Sequence, residues 1–389
     1  MAKILMLNGR MVRGYGVDVV VDALTRRLRG LGHAVMVACG QTDGSYADLG
    51  CLTVAPHRSA ISWLVHDLAP DVVVFHSAPY FDLLEGLRSR HPGVRWVVWE
   101  HGDPTPELFP LEAVKRRAAK TIKALRCYPN ADLIVCISRF IAQDIEYAQP
   151  SPARVVIYNG CDHVPPAASK SIAQLTASQH PLRIGTLTRL GPGEALYKGS
   201  DRFIELVSEL RSLGVQAQIC FMGRGSPEDA AHLKSAGFEV HLNASEEEKW
   251  QFLCGLNIFI SCSRWEGFNL PLVEAQALGT LSMAFEVAAH PEVCQHVYPS
   301  VPAMALDIQC LDQDRQRLLV DSAAAFRFAR TEFTWQRAAE QFDEALQNFN
   351  LPRTAHDERF AISLLGRYGL AVGRFRDELR NRIFSLLGS

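Results

Sequence analysis

Two carboxylates, Glu266 and Glu274, sit eight positions apart in the stretch Asn257 to Thr280, NIFISCSRWEGFNLPLVEAQALGT. The apolar run Ile258 to Ser261 reads as a strand, passing through a Gly-containing loop into a short helix that Pro271 helps start and Gly279 stops. A strand, a turn and a helix N-terminus leave the backbone N–H groups of Gly267, Phe268, Asn269 and Leu270 directed toward negative charge. A carboxylate does not attract an anion, so Glu266 and Glu274 suit neutral hydroxyls at either end of a phosphate-containing ligand. A sugar, a phosphate and a ribose match that order. The competing reading, a loop carboxylate and a helix-surface carboxylate that merely lie close, stays open here.

Positive charge for such a ligand comes from a second loop. The strand Leu182 to Leu187 runs into Arg189, a Gly-Pro-Gly segment and Tyr197, Lys198, Gly199 before the helix Asp201 to Leu213. Arg189 and Lys198 therefore bracket a strand-to-helix crevice, one as a planar fork and the other as a point charge. The alternative for both is plain surface charge. In the first half, His101 follows the apolar strand Trp96 to Trp99, and ligands bind just past the carboxyl ends of parallel strands. His76, after Asp71 to Phe75, is a weaker candidate by the same rule. Asp103 either orients His101 or belongs to a turn. Gly14 and Gly16 punctuate the loop after the first strand, with Tyr15 between them, and Gly223 ends the strand Ile219 to Met222. For each glycine a tight turn is an equal reading. Other acids have local explanations: Ser245 to Glu248 forms a capping box, and the Asp312 to Asp314 triplet opens a helix rather than a metal site.

The elements that must position these groups alternate strand and helix through 389 residues, enough for two α/β units. Lys3 to Leu7, Ala34 to Ala38, Ala131 to Cys136 and Val155 to Tyr158 complete the strands of the first half, with Val17 to Leu31 a helix and Ser138 a helix cap. His163 to Pro181 is rich in Pro, Ala and Ser and reads as the interdomain segment. The boundaries expected are a first domain over 1–165, a linker over 166–181, a second domain over 182–350 and a helical tail over 351–389. Gly-Tyr-Gly is not the dinucleotide fingerprint and no acid at the second strand is correctly placed for a ribose, which disfavours a nicotinamide dehydrogenase. A net charge of −2 gives no whole-protein case for nucleic acid. Ten cysteines scattered in apolar strands read as buried thiols in a cytoplasmic protein, and no apolar run reaches a membrane span. The N-terminal apolar stretch is too short for a signal peptide.

One charged segment stands out. Lys115 to Arg126, KRRAAKTIKALR, holds six basic residues and no acid, with Arg116, Lys120 and Lys123 on one stripe. It reads either as a solvated face or as a surface for anionic lipid headgroups. The Arg-rich tail either lies on a membrane or packs back across the first domain.

The Glu-Gly-Phe of Glu266 to Phe268, the Leu-Pro at Leu270, the second carboxylate Glu274 and the small-residue helix ending in Gly279 resemble the donor-site signature of retaining glycosyltransferases of family four. The Arg-Leu at Arg189 and Lys-Gly at Lys198 are similar to that family's pyrophosphate-binding pair, and the His-Gly at His101 to its active-site histidine. The resemblance implies an α/β protein of GT-B fold, two Rossmann-like doubly wound domains facing a central cleft. It implies a retaining hexosyltransferase that moves a sugar from a UDP- or GDP-sugar to a hydroxyl acceptor, lipid-linked or glycan, in surface polysaccharide or glycolipid assembly. His101, Glu266, Arg189 and Lys198 would act at the reacting centre, with Gly14, Gly16, Gly223, Gly267, Phe268, Asn269, Leu270 and Glu274 holding the donor. No metal and no further cofactor are expected, and the protein would be cytoplasmic or peripheral at the inner face of the membrane. A sugar-nucleotide epimerase of the same architecture and a non-catalytic sugar-nucleotide binding protein are the alternatives. After Glu286 the chain departs from the pattern: Ala288 and Ala289 stand where a Gly-Gly pair often precedes Pro-Glu.

Overall fold

The structure is a computed structural model that describes residues 1–145, 152–166, 181–191 and 193–348. Most of the expected interdomain segment, Pro192 and the whole tail over 351–389 lie outside the described residues. The first seven strands are β1 (Lys3–Asn8), β2 (Ala34–Cys39), β3 (Leu52–Thr53), β4 (Val72–Phe75), β5 (Arg95–Glu100), β6 (Leu133–Cys136) and β7 (Ala153–Val156). They form one sheet in the order β3-β2-β1-β4-β5-β6-β7, every pair parallel. The next six are β8 (Leu182–Arg189), β9 (Ala217–Arg224), β10 (Glu239–Leu242), β11 (Ile258–Ser261), β12 (Leu281–Phe285) and β13 (His296–Tyr298). They build a second parallel sheet in the order β10-β9-β8-β11-β12-β13. Helices cover both faces, so central strands such as β4, Val-Val-Val-Phe, are buried on both sides and read as unbroken apolar runs. The two Rossmann-like, doubly wound sheets are the fold class the sequence implied.

In each sheet the strand order reverses once, between β1 and β4 and between β8 and β11. These are the switch points where open parallel sheets leave a crevice at their carboxyl ends. Four short strands, β3, β10, β12 and β13, escaped the sequence reading because they are too brief or too flanked by polar residues to show a period.

Segments remote in sequence tie the halves together. The carboxylate of Glu292 accepts from the backbone N–H of Arg139 (2.8 Å) and Phe140 (2.7 Å) and from the hydroxyl of Tyr158 (2.7 Å), capping a helix of the first domain from the second. The N–H of Cys161 donates to the carbonyl of Phe333 at 2.9 Å, and that of Trp335 to Asp162 Oδ1 at 2.5 Å. The helix Trp335–Gln347 then buries Trp335, Ala338, Ala339, Phe342 and Leu346, one apolar stripe at helical spacing. That stripe lies on the first domain, with Phe342 edge-on to Trp99 of β5 at 5.1 Å between ring centroids. The crossing back to the first domain is thus made by this helix, ahead of the tail for which it was expected. Phe342→Ala would leave a cavity under the crossing helix and is expected to destabilise the protein by about 3–5 kcal/mol, read as a lower urea midpoint.

Candidate functional site

The carboxyl ends of the two sheets face one cavity of about 720 Å³. All twelve residues singled out from the sequence line it: Gly14, Gly16, His101, Arg189, Lys198, Gly223, Glu266, Gly267, Phe268, Asn269, Leu270 and Glu274.

The centre of the cavity floor is a buried ion pair. Lys198 Nζ lies 2.8 Å from Glu266 Oε1, which also accepts from Ser263 Oγ at 2.7 Å. Burial works against both charges, yet each partner's charge outweighs it, raising the Lys198 pKa and lowering that of Glu266. Lys198 ends a one-turn helix, Glu194–Lys198, closed by Gly199 at φ 69°. A Cβ at Gly199 would fall 1.9 Å from the carbonyl oxygen of Cys262, so only glycine lets the two loops meet. The loop before it contains that helix, and its Glu194 pairs with Arg189 at 3.3 Å, leaving Arg189 part-exposed on the rim.

The helix Leu270–Ala277 starts where the sequence placed it. Asn269 caps it from the left-handed region (φ 71°), with its side-chain oxygen near the Leu272 N–H. Among the described residues, no backbone N–H of Gly267, Phe268, Asn269 or Leu270 has a hydrogen-bond partner within the protein. His290 Nε2 lies 3.0 Å from Asn269 Nδ2 and 3.3 Å from Ser261 Oγ, while Nδ1 faces the Phe285 carbonyl at 2.9 Å. The buried His290, just after that departure, thus braces the cap. Glu274, in the second turn, is deeply buried and contacts Lys249 and His163. Burial would raise its pKa, but the Lys249 charge and the His163 hydrogen bond hold it at about 2.

His101 comes from the opposite domain. Gly267 packs so close that a Cβ there would sit 2.6 Å from the His101 carbonyl oxygen. Its Nε2 is 3.3 Å from Nδ1 of His76. Asp103 does not orient His101. It accepts from Lys123 at 2.9 Å, and Lys123 also reaches Glu100 at 2.7 Å, which in turn takes the Gly102 N–H and the Tyr128 hydroxyl, each at 2.7 Å. The loop carrying His101 is clamped by this buried ammonium. Lys123 was expected on a uniformly basic, solvated stripe. Of that stripe Lys123 is buried, whereas Lys120 and Arg116 are part-exposed and pair with Asp144 and Glu112, carboxylates from outside the basic run.

Further residues had no sequence signal. Tyr15, the interruption in the glycine pair, is flanked by the guanidinium carbons of Arg10 at 3.4 Å and Arg224 at 5.1 Å from its ring centroid. Arg224 also donates to the Arg13 carbonyl, so the loop of the first domain touches the second. Asp18 anchors that loop through Asn8 Nδ2 and the Val12 N–H, both at 2.9 Å, and burial lifts its carboxyl to about 6. The triplet near residue 313 is a helix cap, Asp314 accepting from the Arg317 N–H at 3.0 Å. Of the ten thiols, seven are buried, Cys51 and Cys254 are half-buried and Cys310 is exposed, so the reading of all as buried is corrected.

Burial, with the Lys123 charge added, pulls the His101 imidazole down to about 3, and burial with the neighbouring His101 lowers His76 well below its ordinary value. Both stay neutral in the folded protein, whereas the unfolded chain takes up these protons below its ordinary value of 6.5. Stability from this pair is complete above that pH and is lost as pH falls toward 3. Melting temperature should therefore fall between about pH 7.5 and 5, and His101→Asn should flatten that slope; an unchanged slope would contradict the assignment.

Residues 15–164 match the family Glycosyltransferase Family 4, and residues 182–319 match Glycosyl transferases group 1. No curated protein matches the chain. Among solved structures, sucrose-phosphate synthase from Thermosynechococcus elongatus superposes with a TM-score of 0.68 at 15% identity, covering 90% of this chain and 99% of the other. HepE from Anabaena, solved in complex with UDP and glucose, gives 0.69 at 16% identity over 90% and 100%. WaaG, a glycosyltransferase involved in lipopolysaccharide biosynthesis, gives 0.64 at 14% identity over 88% and 99%. These likenesses establish the shared fold, and the two family matches together span well over half of the sequence. The chain belongs to the GT-B glycosyltransferases, its first domain of the Family 4 type and its second of the group 1 type.

Proposed function

We propose that this protein moves a hexose from a nucleoside-diphosphate sugar to a hydroxyl acceptor with retention of anomeric configuration. The observation that carries the reading is the convergence of Lys198, Glu266, Glu274, His101 and the free N–H groups of 267–270 on one cavity between two switch-point crevices. Breaking the sugar–phosphate bond leaves negative charge on a diphosphate. Lys198, the four amides and Arg189 swung from the rim would stabilise that charge, and they need no metal to do so. Glu266, fixed by Lys198 and Ser263, keeps lone pairs for sugar hydroxyls, Glu274 takes the ribose diol, and neutral His101 faces the sugar from the first domain. Glu266 is engaged in its ion pair rather than poised as a nucleophile, which favours front-side attack by the acceptor as the phosphate departs. Domain closure would exclude water from the donor. The UDP in the HepE structure supports a nucleotide donor, and the involvement of WaaG in lipopolysaccharide biosynthesis supports surface glycan or glycolipid assembly.

A peripheral membrane site for the acceptor follows from a specific surface. The helix Ala113–Ile122 and its continuation Lys123–Cys127 leave Leu111, Val114, Ile122 and Leu125 exposed, at 96%, 79%, 43% and 59%, along one outer stripe. Lys115 and Arg117 border it, while Arg116 of the same helix lines the cavity. An apolar stripe edged by cations lies naturally in a lipid interface. No helix among the described residues is long and apolar enough to cross a membrane.

Nucleoside diphosphates and their sugars should raise the melting temperature selectively, by about 2.7 kcal/mol of stabilisation at a hundred times the dissociation constant. Glu274→Ala and Lys198→Ala should abolish the rise. Lys198→Ala should also lower kcat by about 10²–10³-fold, and turnover near wild type in both Lys198→Ala and Glu266→Gln would sink the proposed chemistry. Ile122→Glu with Leu125→Glu should reduce cosedimentation with vesicles containing anionic lipid, leaving activity on a soluble acceptor intact; equal cosedimentation would remove the membrane assignment.

A further inference from the structure

His163 lines no step of the proposed reaction, yet it touches the donor-side carboxylate. It follows the turn that closes the first domain, and it stands between two elements of different duty. Its Nδ1 is 3.0 Å from the indole Nε1 of Trp335, at the start of the crossing helix, and its Nε2 is 2.9 Å from Glu274 Oε1. An indole N–H can only donate, so Nδ1 must accept. The ring proton of the neutral imidazole is therefore on Nε2, and it is donated to Glu274. Trp335 itself is fixed, buried at 1% exposure with its backbone N–H on Asp162. Indole, imidazole and carboxylate thus form a chain in which each group sets the orientation of the next.

The other side of the carboxylate is different. Lys249 Nζ lies 3.0 Å from Oε1 and 2.8 Å from Oε2, with its ammonium 4.2 Å from the Trp250 ring centroid. Oε2 has the charge of Lys249 beside it but accepts no aligned hydrogen bond, although it is fully buried. A buried carboxylate oxygen in that state fits a hydroxyl delivered by a ligand. Lys249 fixes the charge of Glu274, and His163 fixes which oxygen is already satisfied.

We infer that His163, backed by Trp335, is a positioning residue that holds the Glu274 carboxylate for two adjacent ribose hydroxyls and so makes donor binding selective for ribonucleotides. The inference rests on the reading that the donor ribose binds Glu274. Without the His163 bond the carboxylate can turn about its last torsion and meet a single hydroxyl as well as a pair. With it, a 2′-deoxyribose leaves a buried charged oxygen short of a partner, which disfavours the analogue by about tenfold to a hundredfold, the range for a hydrogen bond to a charged group.

The test is calorimetric titration of UDP and GDP, carrying forward whichever raises the melting temperature more, against its 2′-deoxy form. Wild type should prefer the ribonucleotide at least tenfold. His163→Ala should bind the two within about twofold, and His163→Gln, whose amide N–H₂ can occupy the Nε2 position, should restore the preference. Trp335→Phe keeps an aromatic ring but removes the N–H, so it should weaken discrimination by letting the deoxy form bind more tightly. If wild type itself fails to discriminate, the ribose assignment at Glu274 falls, and this inference with it. If wild type discriminates while His163→Ala and Trp335→Phe do so equally, Glu274 keeps its role and His163 is merely structural. Should His163→Ala not fold, Trp335→Phe decides the matter by the same ratio.

Discussion

The Lys198–Glu266 ion pair is the constraint around which the rest of the site is arranged. Removing both charges from water is costly, and the pair persists because Ser263 adds a hydrogen bond and the loops bring the partners to 2.8 Å. That approach depends on Gly199, where a side chain would strike the Cys262 carbonyl. A pre-formed ammonium on the cavity floor needs little rearrangement when charge develops on a departing group.

Opposite this pair, the first domain presents His101 on a loop whose rigidity also comes from buried charge. Lys123 is held between Glu100 and Asp103, and Glu100 is further satisfied by Tyr128 and the Gly102 N–H. Truncating either side of such a network leaves an uncompensated charge in the interior, a penalty of about 3–5 kcal/mol. The same ammonium helps to keep His101 neutral. Two lysines from unrelated helices thus do comparable work on the two walls: each turns a flexible loop into a fixed one.

The walls are held face to face by contacts that link distant parts of the chain. Glu292 caps a first-domain helix, Arg224 reaches the loop around Tyr15, and the helix Trp335–Gln347 returns to β5. His163 lies where this return path meets the donor-side helix. The Glu292 and Arg224 ties are polar and can open without exposing a large apolar face, whereas the helix Trp335–Gln347 holds to the first domain by its apolar stripe.

The sequence by itself determined the strand-and-helix alternation, the start of the helix at Leu270 and the twelve residues that converge on the cavity, because glycine, proline and carboxylate spacings are local chemistry. Strand Ile258–Ser261 is found at the expected bounds, and the capping box at Ser245 is complete. What only the tertiary structure decided was partnership. Nothing near Lys123 in the sequence announces Glu100 and Asp103, so a basic helix read as solvated while its inner stripe is neutralised by distant acids. Likewise Lys249 and His163 reach Glu274 from 25 and 111 positions away, and Tyr15 gains the second of its arginines, Arg224, only when the domains meet. A charge in the sequence has a position but no environment, and it is burial beside a counter-charge, set by the packing of the whole chain, that turns it into a fixed group with a defined protonation state.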